Sequence, residues 1–502
     1  MKKMVTSDME RRSDGILEEG SPEEGPETRE ETDDRAPTLA ESEKKDNLRE
    51  SLRTIFSWRN YTVYLVTAWV FNGIDVMSHY FTLYLWHIGW EFIFIGAAMT
   101  AVAAFIALFR FVGGYIGDIT NRKALAVVAM FFMATYYLVI GIFDEPIFIL
   151  GALAIYSIFG LAQAGASAFI MDNIPKEHSG LALSLFRMGS SLGIITLLLF
   201  GTLILVLDFD VAFRLIYFVS GILLMLCTVG RAVLLETGRS NGRDKDESLW
   251  RDFLSENANA VKLILASMPG ILAIVILDGL SDEMFRFGAL IYTNDVLDID
   301  YGGINVMLLT PLVISLPLLF RIGRMSDLRG MKRAILLVYS VMPICAALLI
   351  VAPTFSYWMP SSVVDAADAL LPGLEVVFTT AFLALVMKYT NDILWALVLI
   401  TMIQKYMPRT DTSKVLAVFW SSVYIIAAIG PFIGGLIFEF FSQSLLFAVV
   451  LVLNLFILGG VAYYGIERRE PESLSEKMQS MELTIQKLKD EIEEFRSSRR
   501  LP

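Results

Sequence analysis

The chain has little charge and almost no cysteine. Only two cysteines occur in 502 residues, Cys227 and Cys345, and both lie inside apolar runs. A disulfide framework is excluded in practice, and no CxxC or His/Cys spacing suited to a metal occurs. Charged residues make up 19% of the chain, against about 25% in an average soluble domain. The glycine-rich phosphate loop that ends in Gly-Lys-Ser or Gly-Lys-Thr is missing, which removes the sequence sign of ATP-driven work. No nucleophile–base set stands out, so neither an enzyme nor a resident cofactor is expected. No apolar stretch precedes residue 61, so a cleaved signal peptide is not expected and membrane insertion begins with the first long apolar run.

What fills the chain instead is hydrophobic sequence, 55% of all residues. It is arranged in runs of roughly 20–28 residues separated by short polar loops, the length that spans a ~30 Å hydrocarbon core. The expected fold is an all-α membrane protein. Twelve spans can be drawn, at 61–86, 91–116, 122–142, 147–172, 180–207, 211–235, 268–294, 303–325, 333–352, 374–405, 415–439 and 444–466. Lys and Arg collect in the loops after even-numbered spans, among them Arg122, Lys123, Lys176, Arg239, Arg329, Lys332, Arg333 and Arg409. The loops after odd-numbered spans carry none, and hold Asp144, Glu145, Asp208, Asp295, Asp365 and Asp368 instead. Positive charge marks the cytoplasmic side, so both termini are expected in the cytoplasm of a multi-pass cell-membrane protein.

The net charge of −12 describes a tail more than the body of the chain, because residues 1–50 hold 16 acidic against 9 basic side chains. It gives no sign of a nucleic-acid partner. That tail is too poor in large apolar residues to offset its ordering entropy and is expected to be disordered. The longest inner loop, 236–267, divides the spans six and six, into bundles at 51–235 and 268–466. Within it Leu249, Trp250, Phe253, Leu254, Val261 and Ile264 suggest an amphipathic helix, either on the inner leaflet or packed on the bundle. In the tail at 467–502, Leu474, Met478, Met481, Ile485, Leu488, Ile492 and Phe495 recur at spacings of four and three. That is a coiled-coil-like seam of about three heptads, suited to a homo-oligomer, or else a lone amphipathic helix.

One loop is written twice. Gly114-Tyr-Ile-Gly-Asp118 followed by Arg122-Lys123 recurs as Gly323-Arg-Met-Ser-Asp327 followed by Lys332-Arg333. The copies follow spans 2 and 8, and Asn72-Gly73-Ile74 in span 1 likewise matches Asp278-Gly279-Leu280 in span 7. Six plus six spans, an internal repeat, cytoplasmic termini and this loop closely resemble the major facilitator superfamily, over residues 55–466. The resemblance implies two pseudo-symmetric six-helix bundles and a conformational latch. Asp118 would face the N-terminus of span 11 and Asp327 that of span 5, where free N–H groups and the helix dipole favour a carboxylate. Gly114 and Gly323 would allow close helix approach, and Arg122, Lys123, Lys332 and Arg333 would anchor the loops at anionic headgroups. Ile119 and Leu328 depart from the family pattern, and Asn121 stands where the second copy has Gly330. Tyr156 stands where drug–proton antiporters of the superfamily carry an Arg, and span 5 lacks their Gly-Pro motif; that pattern appears in span 11 as Gly430-Pro431 and Gly434-Gly435.

Ionisable groups at mid-depth are expensive and normally face water, a partner or a substrate path. Three spans carry them: Asp75 with His79 in span 1; Asp278, Asp282, Glu283 and Arg286 in span 7; Lys388 and Asp392 in span 10. Arg110, Arg187, Arg231 and Arg321 lie near cytoplasmic ends, where Arg can snorkel. In the superfamily, spans 1, 4, 7 and 10 line the central cavity. Asn72, Asp75 and His79 fall at i, i+3 and i+7, on one helix face, as a proton-coupling or substrate group or as a helix brace. Asp278 and Asp282 are one turn apart and of like charge, so in low dielectric one is expected to hold a proton. Arg286 can neutralise Asp282 or Glu283, and Lys388 can pair with Asp392. Five deep acids against two bases favour protons, or a cationic or zwitterionic substrate, over a simple anion. The expected function is a secondary active transporter of a small molecule that works by alternating access and is proton-coupled. The alternative is a transporter-like scaffold or sensor signalling through its C-terminal coiled coil.

Overall fold

The computed structural model describes residues 48–119, 121–172, 185–186, 188–236, 258–259, 261–266, 268–328, 331–406 and 412–464. The chain divides into two units, 1–51 and 52–502, and the fold below is that of the second. The acidic tail through residue 47 and the heptad seam at 474–495 lie outside the described residues.

The helices follow the apolar runs. After α1 (Leu48–Ser57) come α2 (Arg59–Asp75), a 3-10 turn (Val76–Tyr80) and α3 (Phe81–His87). Next are α4 (Phe92–Ile119), α5 (Arg122–Ile142), α6 (Pro146–Asp172), a second 3-10 turn (Met188–Leu192), α7 (Gly193–Leu203) and α8 (Phe209–Leu234). Past the linker come α9 (Pro269–Asp295), α10 (Tyr301–Leu328), α11 (Met331–Tyr339), α12 (Val341–Val351), α13 (Ser361–Leu370) and α14 (Thr380–Tyr406). The last are α15 (Thr412–Ala427), α16 (Gly430–Phe440) and α17 (Gln443–Tyr464).

Their starts obey ordinary capping chemistry. Asn121 precedes α5, and its Oδ1 accepts a hydrogen bond from the Lys123 N–H at 3.0 Å, satisfying one free donor of the first turn. The residue that departs from the loop pattern thus caps the next helix. Proline opens α6 and α9, where its missing N–H is no loss. Eight of the described helices are long and apolar enough to cross a membrane. Their outward faces carry apolar side chains such as Leu226 and Phe456, more than half exposed, a surface suited to lipid rather than water.

Among the described residues, helices α1–α8 precede the linker and α9–α17 follow it, and the two groups so defined are joined by several seams. In the first group α5 packs on α6 and α8, and α4 on α6; in the second α14 packs on α10 and α12, and α9 on α17. Between groups α4 packs on α15 and α16, α7 on α10, and α3 on α9. Glycine makes the tightest seam possible. A side chain at Gly96 would collide with the Pro431 carbonyl, and one at Gly435 with the Phe92 carbonyl.

Two expectations need correcting. Arg231 does not snorkel: it is 3% exposed. Its Nε donates to Thr67 Oγ1 at 2.8 Å and its Nη1 to the Ala126 carbonyl at 2.9 Å, with the guanidinium 4.2 Å from the Tyr64 ring centre. It braces α2, α5 and α8 from inside. The segment between α12 and α14 is not a plain loop either, because it folds into α13 and pairs Tyr357 with Thr379. In the linker, residues 261–266 are helical, with Ile264 buried beside Met268 and Ile271 while Val261 and Leu265 are exposed. Leu249, Trp250, Phe253 and Leu254 lie outside the described residues.

Candidate functional site

The first long helix is not continuous at its most polar point. Between Asp75 and Phe81 it tightens into the 3-10 turn Val76–Tyr80. A 3-10 helix turns about 120° per residue rather than 100°, so the i, i+3, i+7 alignment of Asn72, Asp75 and His79 does not carry through. Asn72 instead faces Gly189, whose missing side chain leaves room for it. Small residues at Gly73, Gly189 and Gly193 bring this stretch close to Leu192, Trp69 and Val76 across the seam with the second 3-10 turn and α7. Asp75 and His79 share no hydrogen bond, but both line a cavity of about 340 Å³ between the two helix groups.

The cavity carries charge of both signs. From the first group come Asp75, His79 and Arg110, with Tyr136 and Tyr156; from the second come Glu283, Arg286 and Tyr424. The Arg286–Glu283 pair is loose, at 3.8 Å and half-exposed. Arg110 lies 5.0 Å from the Tyr424 ring centre, a cation–π contact across the two groups. The His79 ring meets Tyr389 edge-on, with centroids 5.3 Å apart.

The remaining deep charges separate into two sets. Lys388 Nζ donates to Asp282 Oδ1 at 2.6 Å and to Asp392 Oδ1 at 2.5 Å, and lies 4.9 Å from the Phe285 ring centre. One ammonium therefore serves two carboxylates. Asp278 takes a different partner: its Oδ2 accepts from Trp395 Nε1 at 2.7 Å, inside the second group. Close by, Asn454 Oδ1 accepts from Tyr339 at 2.8 Å and Ser281 at 3.2 Å. Asp278 and Asp282, one turn apart, thus point to different neighbours.

Of the expected site residues, Asp75, His79, Glu283 and Arg286 meet at the cavity. Asp282, Lys388 and Asp392 form the ion triad, Asp278 stands with Trp395, and Asn72 is a packing contact. Among the latch residues, the side chains of Gly114, Asp118, Gly323 and Asp327 lie outside the described residues. Lys332, expected at headgroups, donates to the Ala462 carbonyl at 3.1 Å, in the last turn of α17 where a cation suits the helix dipole. Arg333 is exposed, and Arg122 and Lys123 are half-buried.

The sequence model of the Major Facilitator Superfamily matches residues 61–393. The chain belongs to this superfamily. It is accordingly a multi-pass membrane protein with a transporter fold, and the family implies a small-molecule substrate. No curated protein matches the sequence. Among solved structures, the nucleoside transporter NupG is similar at TM-score 0.59 and 10% identity, covering 80% of this chain and 99% of its own. A POT family transporter in complex with 5-aminolevulinic acid is similar at TM-score 0.57 and 14% identity, covering 80% and 94%. A bacterial homologue of the human drug peptide transporters PepT1 and PepT2 follows at TM-score 0.56 and 13% identity, covering 81% and 96%. At these identities the likeness is one of fold.

Arg110 is a cavity-lining residue that the sequence places elsewhere. Its place near the end of an apolar run reads as a snorkelling arginine, and only the packing of α4 against α15 turns it inward. Counting it, the deep charges are Asp75, Asp278, Asp282, Glu283 and Asp392 against Arg110, Arg286 and Lys388, an excess of two acids.

Proposed function

We propose that this member of the superfamily is a secondary active transporter that moves a small zwitterionic or cationic molecule across the cell membrane, with protons as the coupling ion. The observation that carries the reading is the cavity: Asp75 and Arg110 come from one helix group, Glu283 and Arg286 from the other. A site shared by two groups changes its access when they rock against each other, which is alternating access. A volume of about 340 Å³ lies at the small end of ligand pockets and suits a molecule of amino-acid size. Carboxylate and guanidinium in one space complement a zwitterion's ammonium and carboxylate. The excess of acids favours a cation or proton over a simple anion.

The proposed topology is twelve spans in two six-helix bundles, 51–235 and 268–466, with cytoplasmic termini and the linker 236–267 between them. Helices outside the eight long apolar ones fit that drawing: α2 and α3 are halves of one span broken by the 3-10 turn, and α9 is apolar except for its deep charges. Gly114, Asp118, Arg122 and Lys123, with Gly323, Asp327, Lys332 and Arg333, are proposed as the latch of the two bundles.

The test is uptake of amino-acid-sized zwitterions into liposomes, with and without an imposed pH gradient. Uptake that follows the gradient and is lost in Asp75→Asn supports coupling. Indifference to the gradient, with Asp75→Asn fully active, sinks the coupling; no uptake of any zwitterion or cation sinks the substrate class.

A further inference from the structure

Between α12 and α14, residues 352–379 build a small structure that the transport site does not use. Backbone bonds tie its two ends together: Trp358 N–H donates to the Phe378 carbonyl at 3.0 Å and Thr380 N–H to the Ser356 carbonyl at 2.8 Å. Asp368 Oδ1 accepts from the Gly373 N–H at 2.9 Å, and Gly373 takes the left-handed conformation, φ 85°, that glycine adopts without strain. A segment tied this firmly would be expected to turn its apolar groups inward. It turns them out.

Helix α13 presents three faces. At 3.6 residues per turn, Val363 and Leu370 share one face, Val364 lies about a quarter-turn away and Asp365 about half a turn away. Val364 is 4% exposed and packs on the protein, whereas Leu370 is 81% exposed and Val363 is exposed beside it. Asp365 is exposed on the opposite side. One face thus meets protein, one is bare and apolar, and one is acidic. The approach to α13 adds exposed Phe355, Tyr357 and Trp358. The Trp358 ring is fixed by its Nε1–H bond to the Val377 carbonyl at 3.2 Å. Partial burial, with Glu375, Asp365 and Asp368 nearby, pushes the Tyr357 hydroxyl above its ordinary value.

We propose that residues 355–371 lie in the membrane interface, with Val363, Leu370 and the Trp358 ring resting on phospholipid and Asp365 facing water. Four observations choose lipid as the occupant. The segment starts and ends at helices that are long and apolar enough to cross the membrane, Lys332–Val351 and Thr380–Ile403, so it sits at the membrane surface. The helix that leads into it, α12, also exposes apolar side chains, Ile344 and Val351. Rigid Trp and Tyr rings with one polar end are the side chains that settle at headgroup depth. The helix combines an apolar stripe with a charged opposite face, the amphipathic layout of a helix lying in the interface plane, with aspartates where such helices usually carry Lys and Arg.

The test places a single thiol on each face of α13, as Leu370→Cys or Asp365→Cys, in the otherwise native chain. The unsubstituted protein serves as the labelling blank for Cys227 and Cys345. Each variant carries an environment-sensitive fluorophore and is reconstituted in phosphatidylcholine vesicles, then quenched with lipid-borne spin labels or aqueous iodide. The label at 370 is expected to emit further to the blue, to be quenched by the lipid spin label and to lose iodide quenching; the label at 365 should do the opposite. Equal iodide quenching at both positions overturns the proposal, and so does shielding of position 370 from both quenchers, which would mean that protein covers the face. Val363→Cys repeats the apolar reading at a second site.

Discussion

Lys388 and Asp282, 106 residues apart in sequence, meet at 2.6 Å across α14 and α9, and the same ammonium holds Asp392. The lysine side chain is 3% exposed while the two carboxylates keep about a third of their exposure. Removing the lysine strands both acids. Lys388→Met is expected to lower stability by about 3 kcal/mol, the lower end of what breaking a buried pair costs, because the carboxylates retain some solvent. Adding Asp282→Asn and Asp392→Asn to Lys388→Met should restore most of that loss. Thermal unfolding in detergent reads both; equal melting of wild type and Lys388→Met would remove the triad from the account.

Arg231 makes the opposite prediction. Its partners are Thr67 Oγ1, the Ala126 carbonyl and the Tyr64 ring, and none is a carboxylate left charged in its absence. The Thr67 hydroxyl also bonds to the Val63 and Tyr64 carbonyls. Arg231→Met, which keeps the volume, should melt within about 1.5 kcal/mol of wild type, as volume-conserving swaps do. Arg231→Ala should cost about 2–4 kcal/mol through the space it opens. A Met variant as unstable as the Ala variant would show that the charge itself holds the brace.

Asp278 and Asp75 are expected to separate stability from binding. Asp278 is buried against Trp395, away from the cavity, so Trp395→Phe should cost about 1–3 kcal/mol, the range for a buried hydrogen bond to an ionisable group. Ligand affinity should stay unchanged. Asp75→Asn and Glu283→Gln, on the cavity wall, should weaken binding and leave melting nearly unchanged. Calorimetric binding alongside thermal unfolding distinguishes the two; a binding defect in Trp395→Phe with normal melting would bring Asp278 into the site.

How far these assignments were legible in the chain depended on dimension. Helix positions run along the chain, and apolar runs report them: α5 occupies Arg122–Ile142, as drawn from the sequence, and α4 differs by one and three residues from 91–116. The face a side chain takes depends on neighbours. Arg110 and Arg231 look alike in sequence, each near the end of an apolar run, yet one lines the cavity and the other braces a core. The turn at Val76–Tyr80 carries neither Pro nor Gly, so no breaker marks where the helix tightens. Helix α13 escaped notice because ten residues with two aspartates read as a polar loop.

The last prediction concerns the end of the bundle where His87, Tyr301 and Asn305 sit. Tyr80 donates to Asn305 Oδ1 at 3.0 Å, and Asn305 Nδ2 donates to the Leu197 carbonyl at 3.0 Å, so one side chain ties the 3-10 turn, α7 and α10. Tyr301 stacks on Phe209 with centroids 4.0 Å apart and shares a 2.8 Å hydrogen bond with His87 Nδ1. Nearby, Gly96 and Gly435 let α4 and α16 touch backbone to backbone. These contacts join helices that precede the linker to helices that follow it, and under the alternating access proposed above they have to part for that end to open. Tyr80→Phe removes one buried bond, about 1 kcal/mol, and should raise the open population at that end about fivefold. Gly96→Ala pushes a methyl group onto the Pro431 carbonyl and should shift the population the same way, more strongly. Spin labels on Glu91→Cys and Val296→Cys, exposed residues of the two groups flanking this end, would report it as growth of a longer-distance population. If neither substitution changes the distance distribution, these contacts hold the fold together but do not govern access to the cavity.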